Sequence, residues 1–137
     1  MSNNTLYKRN RHSYYNLNYH LVVVTKYRHP VLNDDIDKRL KEIVMNVFET
    51  KWGSKIIKVE TNMDHIHILF EAQPQVQLST LINNFKTVSS RLVRKEFSEY
   101  LQPYYWKPYF WSRSYYIGAV SDTTEEVVKA YIENQKE

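Results

Sequence analysis

The chain has 137 residues, 42% of them hydrophobic and 25% charged, enough for one domain with a real core and too apolar for a disordered chain. It contains no cysteine, which excludes disulfides, thiolate metal sites and cysteine nucleophiles, so any metal must be held by histidine, carboxylate or amide oxygen. No apolar run approaches the ~20 residues of a membrane span, and Met1-Ser2-Asn3-Asn4-Thr5 offers no hydrophobic leader, so a cytoplasmic protein with no membrane attachment is expected.

Charge is laid out unevenly behind the net +4: residues 1–30 hold five bases and no acid, and the last seventeen residues carry an acidic excess. The 12 Tyr, 5 Phe and 3 Trp often stand beside bases, as in Tyr104-Tyr105-Trp106-Lys107-Pro108-Tyr109. Bases neutralise phosphate and flat rings stack on exposed nucleobases, a pairing suited to single-stranded or looped nucleic acid. A solvated basic surface over an aromatic core has the same composition.

In chain order, a basic arm over about 1–12 leads into residues 13–25, which alternate with Tyr15, Leu17, Tyr19, Leu21 and Val23 on one face and Asn16, Asn18 and His20 on the other, the mark of a long strand. After the turn at His29-Pro30, Asp34 is placed to cap a helix whose apolar stripe is Ile36, Leu40, Ile43, Val44, Val47 and Phe48, ending at Gly53. Residues 54–61 and 65–73 read as a hairpin broken at Asn62-Met63-Asp64. From Leu78, the apolar positions Leu81, Ile82, Phe85, Leu92 and Val93 mark a second helix with a basic exposed side. The aromatic stretch 99–112, interrupted by Pro103 and Pro108, reads as a loop before a fourth strand at 113–120. Asp122, with Glu125 three residues on, is placed to cap a last helix over 122–137. Gly118-Ala119-Val120 would form the connecting turn or a hinge. The whole chain, 1–137, is then one α+β domain in the order β-α-β-β-α-β plus a helix, the ferredoxin-like split βαβ arrangement with two helices on one face of an antiparallel sheet.

Two patterns carry chemistry. His65-Ile66-His67 on a strand puts both imidazoles on one face about 6.5 Å apart along the backbone, a geometry that lets two ring nitrogens converge on a metal ion. By itself it is also the pattern of two half-exposed histidines on an open sheet. On the last helix, Tyr131 and Gln135 stand at i and i+4, so a phenol and a carboxamide face one object. Packing of Tyr131 beside Val127 and Ile132 is the plainer alternative, although so short a helix must dock somewhere to persist, and the histidine-bearing sheet is the candidate surface.

Taken together, these motifs resemble the single-tyrosine HUH transposases of small bacterial insertion sequences, the TnpA type. The resemblance runs through Tyr19-His20-Leu21-Val22-Val23-Val24-Thr25-Lys26-Tyr27-Arg28, Met63-Asp64-His65-Ile66-His67-Ile68-Leu69, Lys86-Thr87-Val88-Ser89-Ser90-Arg91 and Trp111-Ser112-Arg113-Ser114-Tyr115-Tyr116. It implies that His65, His67 and Gln135 ligate a divalent cation, Mg²⁺ or Mn²⁺, and that Tyr131 is the nucleophile. It further implies cutting and rejoining of single-stranded DNA at hairpin-marked element ends through a 5′-phosphotyrosine, by a homodimer that shares its active sites between subunits. Arg9, Arg11, Lys26, Arg28, Lys86, Arg91, Arg94 and Lys95 are candidate DNA contacts by charge and placement. The alternatives are a nickase acting on genomic hairpins and a catalytically silent hairpin-binding module.

Overall fold

The computed structural model describes the backbone of Lys8–Arg9 and Tyr14–Tyr15, which pair as a short antiparallel ladder, and residues 17–135 in full. The remainder of the basic arm, including Arg11, and the start of the strand expected from residue 13 lie outside the described residues. Four strands, β1 (Asn18–Val24), β2 (Lys55–Asn62), β3 (His65–Glu71) and β4 (Tyr116–Ala119), stand side by side in the order β2-β3-β1-β4 with every neighbour antiparallel. The helices are α1 (Asp34–Val44), α2 (Leu78–Glu96), the single turn α3 (Ser98–Leu101) and α4 (Glu125–Glu133). Each βαβ unit is thus split by a strand of the other, as the ferredoxin-like order requires.

Alternation decides the two faces. Leu21, Val23, Ile66, Ile68 and Phe70 point into a core closed by Ile36, Leu40 and Val44 of α1 and Leu81, Phe85 and Val93 of α2, all fully buried. Phe48 meets Phe70 and Phe85 edge-on at ring centroid distances of 5.0 and 5.6 Å. Each such side chain contributes about 1.5–3 kcal/mol by burial. The other face carries His65, His67 and, in direct register across β1, the row His67–Val22–Tyr116.

Several boundaries differ from the sequence expectations for local reasons. Asn33, not Asp34, caps α1: its backbone is extended and its side chain accepts from the Ile36 amide at 2.9 Å, leaving Asp34, Asp35 and Asp37 in the first turn where the helix dipole favours acids. Beyond Val44 the helix widens to π geometry over Met45–Lys51, with Val47 and Phe48 still buried, and Gly53 closes it at φ +66°. Asp122 belongs to a 3₁₀ turn, Val120–Asp122, and Thr124 caps α4 instead, accepting from the Val127 amide at 3.2 Å. Gly118 does not lie in a turn. It lies within β4 opposite His20, and a Cβ there would collide with the Tyr116 hydroxyl and stand 2.6 Å from the Thr123 hydroxyl, which bond each other at 3.0 Å.

After the turn Ser98–Leu101 the aromatic stretch is irregular, as a loop should be, but part of it is packed into the core. Tyr105, Phe110 and Trp111 are buried, with Trp111 Nε1 donating to Ser89 Oγ at 2.9 Å and the Tyr105 hydroxyl donating to the Lys26 carbonyl at 2.9 Å. Main-chain bonds from Lys26 to Phe110 and from Ser112 to Val24 continue the sheet beyond the end of β1, so residues 113–115 form an irregular interruption before β4.

Candidate functional site

Period-two geometry brings His65 and His67 to one face of β3, where they line a cavity of about 580 Å³ between the sheet and α4. His20 joins them from β1: its Nδ1 lies 2.7 Å from His67 Nε2. Burial lowers the pKa of both rings, and for His67 the neighbouring His20 adds to the effect. At this distance one ring nitrogen donates an N–H to the other's lone pair. His65 is held differently, with Nδ1 2.8 Å from Asp64 Oδ1. Arg28 lies across this edge of the cavity and its Nε donates to Asp64 Oδ2 at 3.3 Å.

Tyr131 and Gln135 converge as well, on Ser114. The Ser114 hydroxyl is 2.9 Å from the Tyr131 hydroxyl and 2.9 Å from Gln135 Oε1. Ser114 has one hydrogen and Gln135 Oε1 can only accept, so the serine donates to Gln135 and the Tyr131 phenol donates to the serine. The phenol is thereby neutral, in keeping with a pKa raised by burial against the opposing influence of Ser114. Tyr131 also packs on Tyr116, with ring centroids 5.9 Å apart. Gln135 lies one residue beyond the α4 cap, its amide turned back to the Ile132 carbonyl at 3.1 Å, so the pair meets through a closing turn and not a regular i,i+4 step.

Within one chain these two clusters do not merge. The cavity over the histidines is lined from α4 by Glu125, Val128, Lys129, Ile132 and Glu133, while Tyr131 faces β4. Tyr131 and Ile132 are neighbours on the helix, about 100° apart around its axis. No residue of α4 is fully buried, though Val128, Tyr131 and Ile132 are half-buried, and the helix is tied to the sheet through Ser114 and Tyr116.

Ser114 is placed by a lysine. Lys86 Nζ donates to the carbonyls of Ser112, Arg113 and Ser114 at 2.8, 2.9 and 3.4 Å, filling the interruption before β4, and burial lowers its pKa. Lys26 is likewise internal, buried with its ammonium over the Tyr27 and Tyr109 rings at 5.1 and 4.8 Å. Both candidate DNA contacts are thus engaged inside the fold. Arg91 and Lys95 are exposed on α2, Arg94 is half-buried with its Nε on Ser90 Oγ at 3.2 Å, and the side chains of Arg9 and Arg11 lie outside the described residues.

The family profile described as "Transposase IS200 like" matches residues 13–135 of this chain. The chain is an IS200-like transposase. It is 32% identical over 128 residues to the ISDra2 transposase TnpA of Deinococcus radiodurans, covering 93% of this chain and 90% of that one. It is 30% identical over 126 residues to the transposase for insertion sequence element IS200 of Salmonella typhimurium, covering 92% and 81%. A crystal structure of a Deinococcus radiodurans protein assigned as a transposase superposes with a TM-score of 0.84 at 35% identity, over 93% of this chain and 97% of that one. A REP-associated tyrosine transposase, solved bound to a REP hairpin, shares the fold at a TM-score of 0.58 and 11% identity, over 92% and 69% of the two chains. Among the described residues of this transposase no helix is long and apolar enough to cross a membrane.

The donor chemistry of the IS200-like site fits a divalent cation only in part. Three imidazoles, His20, His65 and His67, line the cavity, but among the described residues no group of three His, Asp or Glu is arranged to hold a metal ion. A third ligand must come from a residue type outside that set or from elsewhere, and the Gln135 carboxamide meets the first condition. His20, Asp64 and Ser114 were not singled out as site residues by the sequence reading. His20 shares the β-strand alternation that marks the solvent-side face, and Asp64 directly precedes the histidine pair, whereas nothing local marks Ser114.

Proposed function

We propose that this transposase is a metal-dependent, single-tyrosine enzyme that cuts and rejoins single-stranded DNA at hairpin-marked ends, with Tyr131 as nucleophile and His65, His67 and Gln135 as ligands of Mg²⁺ or Mn²⁺. The observation that carries the reading is the shared Ser114 hydroxyl, which collects a phenol and a carboxamide above the sheet face that bears the two imidazoles. Because Tyr131 turns from its own chain's cavity and α4 buries no residue fully, the active unit in this reading is a homodimer in which α4 of one copy serves the histidines of the other. Mixed nitrogen and oxygen ligation suits Mn²⁺ better than Mg²⁺.

A bound divalent cation would supply Lewis acidity at the scissile phosphate and hold it in line with the attacking oxygen. Tyr131 must first leave Ser114 and lose its proton, since a phenol of raised pKa is a poor nucleophile at neutral pH. Its oxygen then forms the bond to phosphorus as the bond to the 3′ oxygen breaks, and that oxygen takes up a proton to leave as a 3′-hydroxyl. The 5′-phosphotyrosine keeps the energy of the phosphodiester, so attack by another 3′-hydroxyl reverses the step and joins new ends without ATP. For the DNA surface we assign Arg91 and Arg94, which line a groove of about 510 Å³ with Arg113 and Tyr109, the exposed Lys95 on the same helix, and Arg28 at the edge of the histidine cavity. Among the described residues Trp106, 77% exposed, is the ring most open to stacking on a base.

The test is incubation with Mn²⁺ and a single-stranded hairpin oligonucleotide from the element's own ends. A denaturant-resistant protein–DNA adduct that Tyr131→Phe abolishes supports the reading. Binding without an adduct on any end sequence favours a silent hairpin-binding module.

A further inference from the structure

Two consecutive residues that are not glycine, Tyr27 and Arg28, hold left-handed backbone conformations at φ 59° and 55°. Strain of this kind persists only where surrounding contacts impose it. Here the turn swings Arg28 back over the start of β3, where its Nε reaches Asp64 Oδ2 at 3.3 Å. The Asp64 main chain is fixed from the same turn, its carbonyl accepting from the Thr25 amide at 2.9 Å and the Thr25 hydroxyl at 3.2 Å. The remaining carboxylate oxygen, Oδ1, is 2.8 Å from His65 Nδ1. A carboxylate only accepts, so His65 carries a hydrogen on Nδ1, which in the neutral ring leaves the lone pair on Nε2. Arg28, Asp64, His65 and His67 all line the one cavity.

We propose that Asp64 is a positioning residue for the cation site: it selects the Nδ1–H tautomer of His65 and fixes the ring so that Nε2 is presented as a ligand before any cation arrives, while Arg28 anchors the other carboxylate oxygen. The proposal rests on the reading of His65 as a cation ligand. A carboxylate behind a ligating imidazole sets its tautomer and raises its basicity, and losing such a partner weakens metal binding 10–100-fold as a rule. Among the described residues no carboxylate is hydrogen-bonded to His67, although Glu60 stands opposite it in the sheet; its Nε2 is engaged by His20.

The experiment uses the full-length protein and three variants, Asp64→Ala, Asp64→Asn and Arg28→Ala. Long-range ¹H–¹⁵N correlation on histidine-labelled, cation-free protein reads the tautomer of His65, which a merely structural role for Asp64 would leave alone. Mn²⁺ titration followed by water proton relaxation reads affinity for the metal alone. The expected result is an Nδ1–H tautomer in the parent protein, lost in Asp64→Ala along with about 10–100-fold in Mn²⁺ affinity. Asp64→Asn keeps an oxygen acceptor for Nδ1–H and should recover the tautomer and most of the affinity. Arg28→Ala should keep the tautomer and lose less affinity than Asp64→Ala. An unchanged His65 tautomer in Asp64→Ala, or an affinity within twofold of the parent, overturns the proposal. His65→Ala separates the two readings: if it leaves Mn²⁺ affinity intact the ligand assignment itself fails, whatever the tautomer shows.

Discussion

Replacing Ser114 by alanine removes one hydroxyl and two hydrogen bonds, those to Tyr131 and Gln135. Each such bond contributes about 0.5–1.5 kcal/mol net. Ser114 is exposed and both partners regain water when freed, so the lower part of that range applies and the two together come to about 1–2 kcal/mol. No residue of α4 is fully buried to offset the loss, and what remains is the Tyr116 ring contact and the partial burial of Val128, Tyr131 and Ile132. A change of that size raises the population of undocked α4 by a factor of roughly 5–30. Native-state hydrogen exchange measures it directly: amides of residues 128–133 should exchange roughly 5–30-fold faster in Ser114→Ala, while amides of β3 keep their rates because the core is untouched. Exchange in α4 within twofold of the parent, or equal acceleration in β3, would refute the claim that Ser114 holds the helix.

Three further outcomes follow from the same contacts. Lys86→Met should leave the salt dependence of DNA binding unchanged, because its ammonium is bound to three carbonyls, whereas Arg91→Ala should reduce the slope of log affinity against log salt by about one. Gly118→Ala should lower stability by roughly 1–3 kcal/mol through overpacking against Tyr116 and Thr123, measured as a drop in melting temperature, and Tyr116→Phe in the same background should restore only part of it, because the Thr123 hydroxyl and the ring edge still crowd the new Cβ. His67 has a folded pKa below its unfolded value, so on acidification the unfolded chain binds its proton first. The cation-free protein should therefore lose stability as pH falls through about 6.5 and below, and His67→Asn should flatten that slope in urea titrations across pH.

What could be read from the sequence was whatever depends on neighbours along the chain. Alternation through Leu21, Val23, Ile66, Ile68 and Phe70 marks the buried sheet face, and the stripes through Ile36–Phe48 and Leu81–Val93 mark the helices that cover it. That His65 and His67 share a face follows from the pleat alone. Caps were missed by one or two residues because Asn33 competes with Asp34, and Thr124 with Asp122, for the same role. Their order is decided by which backbone stays extended. Lys86 reads as solvated by helical spacing, and only the return of Ser112–Ser114 across α2 turns it into a clamp. The contacts of Ser114 with Tyr131, His20 with His67 and Arg28 with Asp64 span 17–47 positions, which no local pattern reports.

The central claim, that Tyr131 of one copy acts with the histidines of another, is tested most directly by complementation. Tyr131→Phe and the double variant His65→Ala/His67→Ala should each fail to form a covalent adduct with hairpin DNA in Mn²⁺. Once mixed and allowed to exchange subunits, they should form one, borne only by the histidine-deficient chain. A mixture as inactive as its parts, from a preparation in which mixed dimers are demonstrated, would contradict the shared site.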